Sequence, residues 1–403
     1  MDVATERLYY RDSYLREFTA RALDARRAGD LTDVVLDRTA FYPEGGGQPW
    51  DLGTLSGLPV VSVVDEDGQV IHRVTGALSE GEMVGLVDWE RRFDHMQQHT
   101  GQHILSQAFL RLLGAETVSF HLGADYASID LSVPSLEAGQ VVEVEELSNR
   151  VVFENRPVLI HILEPSELEK FDLRKATGRT DKIRVSEVRG FDSIPCGGTH
   201  CRSTSEIGLI KITRWERRSG NSRVEFLCGG RALRDYRRKN EALLSLSAAL
   251  SVKDSEVAGA VERVVREGEV ARRRSEQLRD QLLDYRARDM AEGAERVGEA
   301  SVVVALLEEY SAEELKHLAG KLVAEPGRVA LLASAPEKVH LLFARSEDVA
   351  LDAGKLLREA SAPFGGRGGG RPNQAQGGIP NRADVRAVLD EALSSLRGVL
   401  QDE

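Results

Sequence analysis

Asp94-His-Met-Gln-Gln-His99-Thr-Gly-Gln-His103-Ile-Leu-Ser-Gln-Ala-Phe109-Leu-Arg-Leu-Leu-Gly114 reads as one helix. Asp94 with Gln97 three positions on has the form of a capping box, and Gly114 suits the left-handed residue that closes a helix. Met96, Leu105, Ala108, Phe109 and Leu112 supply its apolar face. His99 and His103 stand four apart, so a helix presents both imidazoles on one side. Far along the chain, Cys196-Gly-Gly-Thr-His200 repeats the spacing, but its two glycines argue for a tight loop. Two imidazoles on a rigid helix faced by a thiolate and an imidazole on a loop match zinc, one ion per chain, held by His99, His103, Cys196 and His200. His95 is expected to support a ligand or cap the helix, and Cys201 and Cys228 to be packing residues. No Glu separates the two histidines, which excludes the His-Glu-x-x-His metalloprotease pattern.

Outward from this pair the chain divides. Residues 1–90 hold short apolar runs, Val34–Leu36, Val60–Val64 and Met83–Val87, with a hairpin signal at Asp65-Glu-Asp-Gly68. They suggest a small β-barrel-like subdomain, interrupted by the loop Phe41-Tyr-Pro-Glu-Gly45-Gly46-Gly47-Gln48-Pro49. An α/β zinc-containing domain is expected over 91–240 and a helical spacer over 241–296, where a heptad seam runs from Val257 to Tyr285. A small Gly-rich α/β domain is expected over 297–403, so the whole is α+β.

The 53 Lys+Arg against 65 Asp+Glu give a net charge of −12, which disfavours nonspecific polyanion binding but permits local basic patches. One such patch, Lys170 to Arg184, holds Lys170, Arg174, Lys175, Arg179, Lys182 and Arg184; another holds Arg231, Arg234, Arg237, Arg238 and Lys239. The first is favoured for RNA contact. With only three cysteines no disulfide framework is expected, so a cytoplasmic setting fits best. No apolar run is long enough for a membrane span.

The Phe41–Gly53 loop, His99-Thr-Gly-Gln-His103, Cys196-Gly-Gly-Thr-His200 with Glu206-Ile-Gly208, and the segment Gly365–Gly378 occur together and in order. In these the chain resembles the freestanding alanyl-tRNA editing proteins, long form, which are similar to the editing and C-terminal domains of alanyl-tRNA synthetase. The resemblance implies a zinc-dependent deacylase acting in trans on tRNA(Ala) mischarged with serine, and with glycine. It makes 91–240 the editing domain and 297–403 a tRNA-binding domain. A homodimer through the helical spacer or the C-terminal domain is a further expectation. No ATP-dependent charging is expected.

Thr100 and Gln102, flanking the ligands, are the candidate catalytic residues, able to hydrogen-bond substrate or water, with capping and packing as the competing role. One of Thr117, Ser119 and His121 is expected to line the amino-acid pocket. Gly45, Gly46, Gly47 and Gln48 are the candidates for tRNA contact near the substrate, since bare backbone can approach a phosphate or ribose closely, and Arg367 and Arg371 for phosphate contact. The competing reading is a noncatalytic tRNA-binding or dimerising accessory factor with a structural zinc. A two-metal phosphoesterase is disfavoured by the missing cluster of Asp and His ligands.

Overall fold

The computed structural model describes residues 4–175 and 182–401, which fall into two compact units divided between Ala249 and Leu250. No helix among the described residues is long and apolar enough to cross a membrane.

In the first unit, β1 (Glu17–Ala28), β2 (Leu31–Leu36), β3 (Gly53–Leu55), β4 (Leu58–Glu66), β5 (Gln69–Thr75) and β6 (Gly81–Val87) close a barrel in the order β1-β2-β5-β4-β3-β6. Closure removes the open edges such short strands would otherwise expose. Alternate residues such as Val34, Leu36, Val63, Val70, Val74 and Met83 fill it. The β4–β5 turn puts both Asp67 and Gly68 at positive φ, the geometry that matches strand twist in a two-residue hairpin.

Helix α1 (Trp89–Leu113) begins earlier than its sequence suggests. Asp88 is the N-cap, accepting from the Arg91 N–H, whereas the Asp94 carboxylate is held by Arg231. The closing residue is Gly114 at φ 64°, as read from the sequence. Arg92, wholly buried, ties α1 to the barrel loop: it donates to the Asp51 carboxylate and to the carbonyls of Ser13 and Ala40.

Next come β7 (Thr117–Leu122), β8 (Ala127–Leu131), α2 (Ala138–Phe153), β9 (Val158–Leu163), β10 (Ile183–Val188), β11 (Asp192–Pro195), β12 (Ile210–Arg218), β13 (Asn221–Cys228) and α3 (Gly229–Leu250). They build an antiparallel sheet β12-β13-β8-β7 and a smaller sheet β9-β10-β11. Met96, Ile104, Leu105 and Phe109 of α1 pack on Ile129, Val224 and Phe226, with α2 adding Val144 and Val151. α1 and α3 run through positions 90 and 240, where the sequence suggested boundaries.

The second unit opens with α4 (Val257–Glu292). Its seam residues Val261, Val264, Leu278, Leu282 and Tyr285 are exposed. The buried residues are Val257, where the seam begins, with Ala260, and towards the far end the offset pair Leu283 and Ala287, pinned further by Lys321, which bonds Asp280 and Asp284 at 2.8 and 2.7 Å. Then follow β14 (Glu295–Val297), β15 (Ala300–Leu306), α5 (Ala312–Leu322), β16 (Arg328–Ser334), β17 (His340–Arg345), α6 (Ala353–Ser361), β18 (Arg367–Arg371), β19 (Gln374–Gly378) and α7 (Val385–Gln401). The strands form one mixed sheet, β14-β15-β16-β17-β19-β18, with α6 and α7 on one face and α5 with the end of α4 on the other. The Gly-rich segment Gly365–Gly378 holds the edge hairpin β18–β19.

Candidate metal centre

α1 carries His99 and His103 on its buried face, and β11 delivers the chain into the loop with Cys196 and His200. One ligand atom from each of the four lies within 4.8 Å of every other, a group able to hold a metal ion. The Cys196 Sγ is 3.4 Å from His99 Nε2 and 3.3 Å from His200 Nε2. Bonds of about 2.0–2.3 Å around a tetrahedral ion give edges near 3.5 Å, so the donor set fits one.

Two of the three imidazoles are hydrogen-bonded from behind, and the third faces a carboxylate. His99 Nδ1 meets Gln48 Oε1 at 2.8 Å, and His200 Nδ1 meets Thr100 Oγ1 at 3.3 Å. His103 Nδ1 is buried, 3.7 Å from Asp192 Oδ2, which in turn accepts from Arg174. Such partners fix which nitrogen faces the cluster. Burial holds all three imidazoles neutral, His99 down to about 3, so each keeps a lone pair to offer. Burial pushes the Cys196 thiol up, opposed by the nearby Arg184 cation and by the Gly198 N–H, which donates to the sulfur.

Glycine is required at two points. A Cβ on Gly198 would stand 2.1 Å from His99 Cε1, and one on Gly101, between the histidines, 2.3 Å from the Cys228 sulfur. Small residues in both motifs therefore let loop, helix and β13 close on one another.

Above the cluster opens a cleft of about 440 Å³. His99, His103 and Cys196 meet Gln102, Thr117 and Gly45 there. Gln102 Nε2 and Thr117 Oγ1 both donate to the buried Ser106 Oγ at 2.7 Å. Ser119 also lines the cleft but donates to Asp130, and His121 is not among the lining residues.

Several expected roles change with these positions. Gln48, expected at tRNA, is wholly buried: Oε1 also accepts from the Thr199 N–H and Nε2 donates to Thr199 Oγ1, so it positions His99 instead. Thr100, expected at substrate or water, is also fully buried, accepting from the Cys201 N–H and orienting His200. Gly45 and Gly46 line the cleft, while Gly47 lies against Phe120 of β7. Arg367 and Arg371 are exposed on one face of β18. His95 is buried outside the four-residue group, as are Cys201 and Cys228. Within the first basic patch Arg174 and Arg184 are turned inward and only Lys170, Lys175 and Lys182 are exposed; Arg179 lies outside the described residues. Sequence reading missed Asp192 and Thr199, whose contacts come from neighbours far along the chain, and Tyr10, which lines the cleft.

Around the site stand a barrel, a sheet, a His-x-x-x-His helix and a Cys-x-x-x-His loop, and a family model places the chain among the proteins that carry a synthetase-type accessory domain. The threonyl and alanyl tRNA synthetase second additional domain matches residues 183–225, and the DHHA1 domain matches 299–401. The chain is 35% identical to the alanyl-tRNA editing protein AlaX-L of Pyrococcus horikoshii, over 98% of this chain and 99% of that protein. It belongs to that alanyl-tRNA editing family. It is also 37% identical to the alanine–tRNA ligase of Thermococcus kodakarensis over 97% of its own length, but spans only 44% of that ligase. Among solved structures, the C-Ala domain of Aquifex aeolicus alanyl-tRNA synthetase covers 27% of this chain and 96% of that domain at 29% identity, with a TM-score of 0.23.

Proposed function

We propose that this chain is a deacylase that clears, in trans and in the cytosol, tRNA(Ala) mischarged with serine or glycine, with one zinc ion held by His99, His103, Cys196 and His200. The observation that carries this reading is that four soft or borderline donors converge on one point, and three of them, His99, His103 and Cys196, line an open cleft. Bound there, and with one of the four ligands released to open a coordination position, zinc would supply Lewis-acid polarisation of the ester carbonyl.

The chain's own residues do the remaining work. An aminoacyl ester is already activated, so holding it in register with water suffices without a protein nucleophile. Thr117 spends its only proton on Ser106 and Gln102 one of its two amide N–H groups, so the Thr117 hydroxyl oxygen and the Gln102 amide oxygen are the acceptors these two lining residues offer the cleft. A seryl hydroxyl can donate to them; an alanyl methyl cannot, and would leave them unpaired. Gly45 and Gly46 at the rim offer bare backbone to the 3′ end, and Arg367 and Arg371 offer cations to phosphates.

The test is release of serine from Ser-tRNA(Ala). Wild type should deacylate, and His103→Ala and Cys196→Ala should fall to the buffer rate. Thr117→Val should lose roughly tenfold in kcat/KM, worth about 1.4 kcal/mol, with zinc content intact. Wild type no faster than buffer would refute the enzyme and leave the accessory factor with a structural zinc.

A further inference from the structure

Arg184 is a charged side chain sealed inside the molecule at 8% exposure. Its main chain and its side chain each hold one polar group of Cys196 in the cysteine loop. The Cys196 N–H donates to the Arg184 carbonyl at 3.0 Å, and Arg184 Nη1 donates to the Cys196 carbonyl at 2.6 Å. Arg184 Nε donates to the Tyr10 carbonyl at 3.2 Å, and the guanidinium lies 5.4 Å from the centre of the Tyr10 ring.

Its surroundings are unusual for a buried cation. Arg174, by contrast, has the Asp192 carboxylate as partner. Around Arg184 the anionisable neighbours are Cys196 and the tyrosines Tyr10, Tyr42 and Tyr9, and Nη2 is buried with no hydrogen-bond partner among the described residues. A guanidinium kept there without a carboxylate is a net burden on folding. Filling the space would need only an apolar chain of similar volume.

Resting on the zinc reading, we propose that Arg184 is the positioning residue of the metal centre. It fixes the peptide that carries the Cys196 sulfur and links that peptide to Tyr10, a wall of the cleft. The loop needs such a bracket, because Gly197 and Gly198 follow the ligand directly and restrain the backbone little. The sulfur ligand and the substrate-facing wall are thereby made to move as one piece.

The experiment titrates the metal-stripped full chain with cobalt(II) and follows the thiolate-to-cobalt absorption band. Circular dichroism confirms the fold of each variant. Arg184→Met keeps the volume; Arg184→Lys keeps the charge but cannot hold both carbonyls. Arg184→Met should lose about tenfold or more in cobalt affinity and show a shifted, weakened band, with Arg184→Lys between it and wild type. Should Arg184→Met fail to fold, Arg184→Lys decides. A folded variant with wild-type affinity and an unshifted band overturns the proposal alone. A wild-type chain that takes up no cobalt overturns the zinc reading and the proposal together.

Discussion

Two stretches of this chain are dense in glycine, and they use it for different ends. In the barrel loop, Gly47 at φ +85° lets the backbone rest on β7, where an added Cβ would stand 2.5 Å from the Phe120 carbonyl oxygen. That contact sets down the next residue, Gln48, against His99. In the C-terminal hairpin, Gly368 and Gly377 leave room for Leu357 of α6, whose Cδ2 would meet added Cβ atoms at 2.6 and 2.8 Å. The first stretch shapes a site and the second a core. Glycine content does not tell these apart; the neighbour that would meet the missing side chain does.

Substitutions can break that contrast. Gly47→Ala should have the largest effect: left-handed strain plus the clash with Phe120 should cost about 3 kcal/mol, and zinc affinity should fall with it. Denaturant unfolding and zinc titration read the two losses separately. Gly368→Ala should destabilise by about 2 kcal/mol yet leave zinc affinity at the wild-type value, because its clash lies under the hairpin. A fall in zinc affinity there would erase the distinction. Gln48→Leu sharpens it from the other side, with a 10- to 100-fold loss in zinc affinity from an unheld His99. Gly46→Ala, at φ +58° with open space around its Cβ, should cost only about 1 kcal/mol. Smallest in stability is the pair Arg367→Gln and Arg371→Gln, within about 0.5 kcal/mol of wild type, each lowering the salt dependence of tRNA binding by about one unit of slope.

The sequence was most legible where spacing alone carries geometry. Four-residue intervals in a helix and a Gly-Gly loop were enough to name the residues that converge at the cluster. It misled where a local pattern lost to a distant partner. Asp94 and Gln97 have the form of a cap, but Arg231 takes the Asp94 carboxylate, and Gln97 donates to the Glu206 carbonyl while accepting from the Gly230 N–H. Gln48 seemed part of a loop facing RNA because Thr199, its partner 151 positions away, cannot be foreseen. The strands β18 and β19 were hidden by their own glycines, which have low strand propensity. They form because β17 offers a pairing edge and α6 tolerates no side chains beneath them. Arg174, Arg184 and Arg231 counted as surface charge until burial showed otherwise.

The close fit of Cys228 against Gly101 has a practical corollary. That sulfur has no space around it for an added group, and Cys201 is equally sealed at 1% exposure. Of the three thiols, only Cys196 reaches a solvent-accessible cleft. An alkylating reagent applied to the folded protein should therefore modify one cysteine when the centre is stripped and none when it is loaded, so the chain carries its own built-in gauge of occupancy.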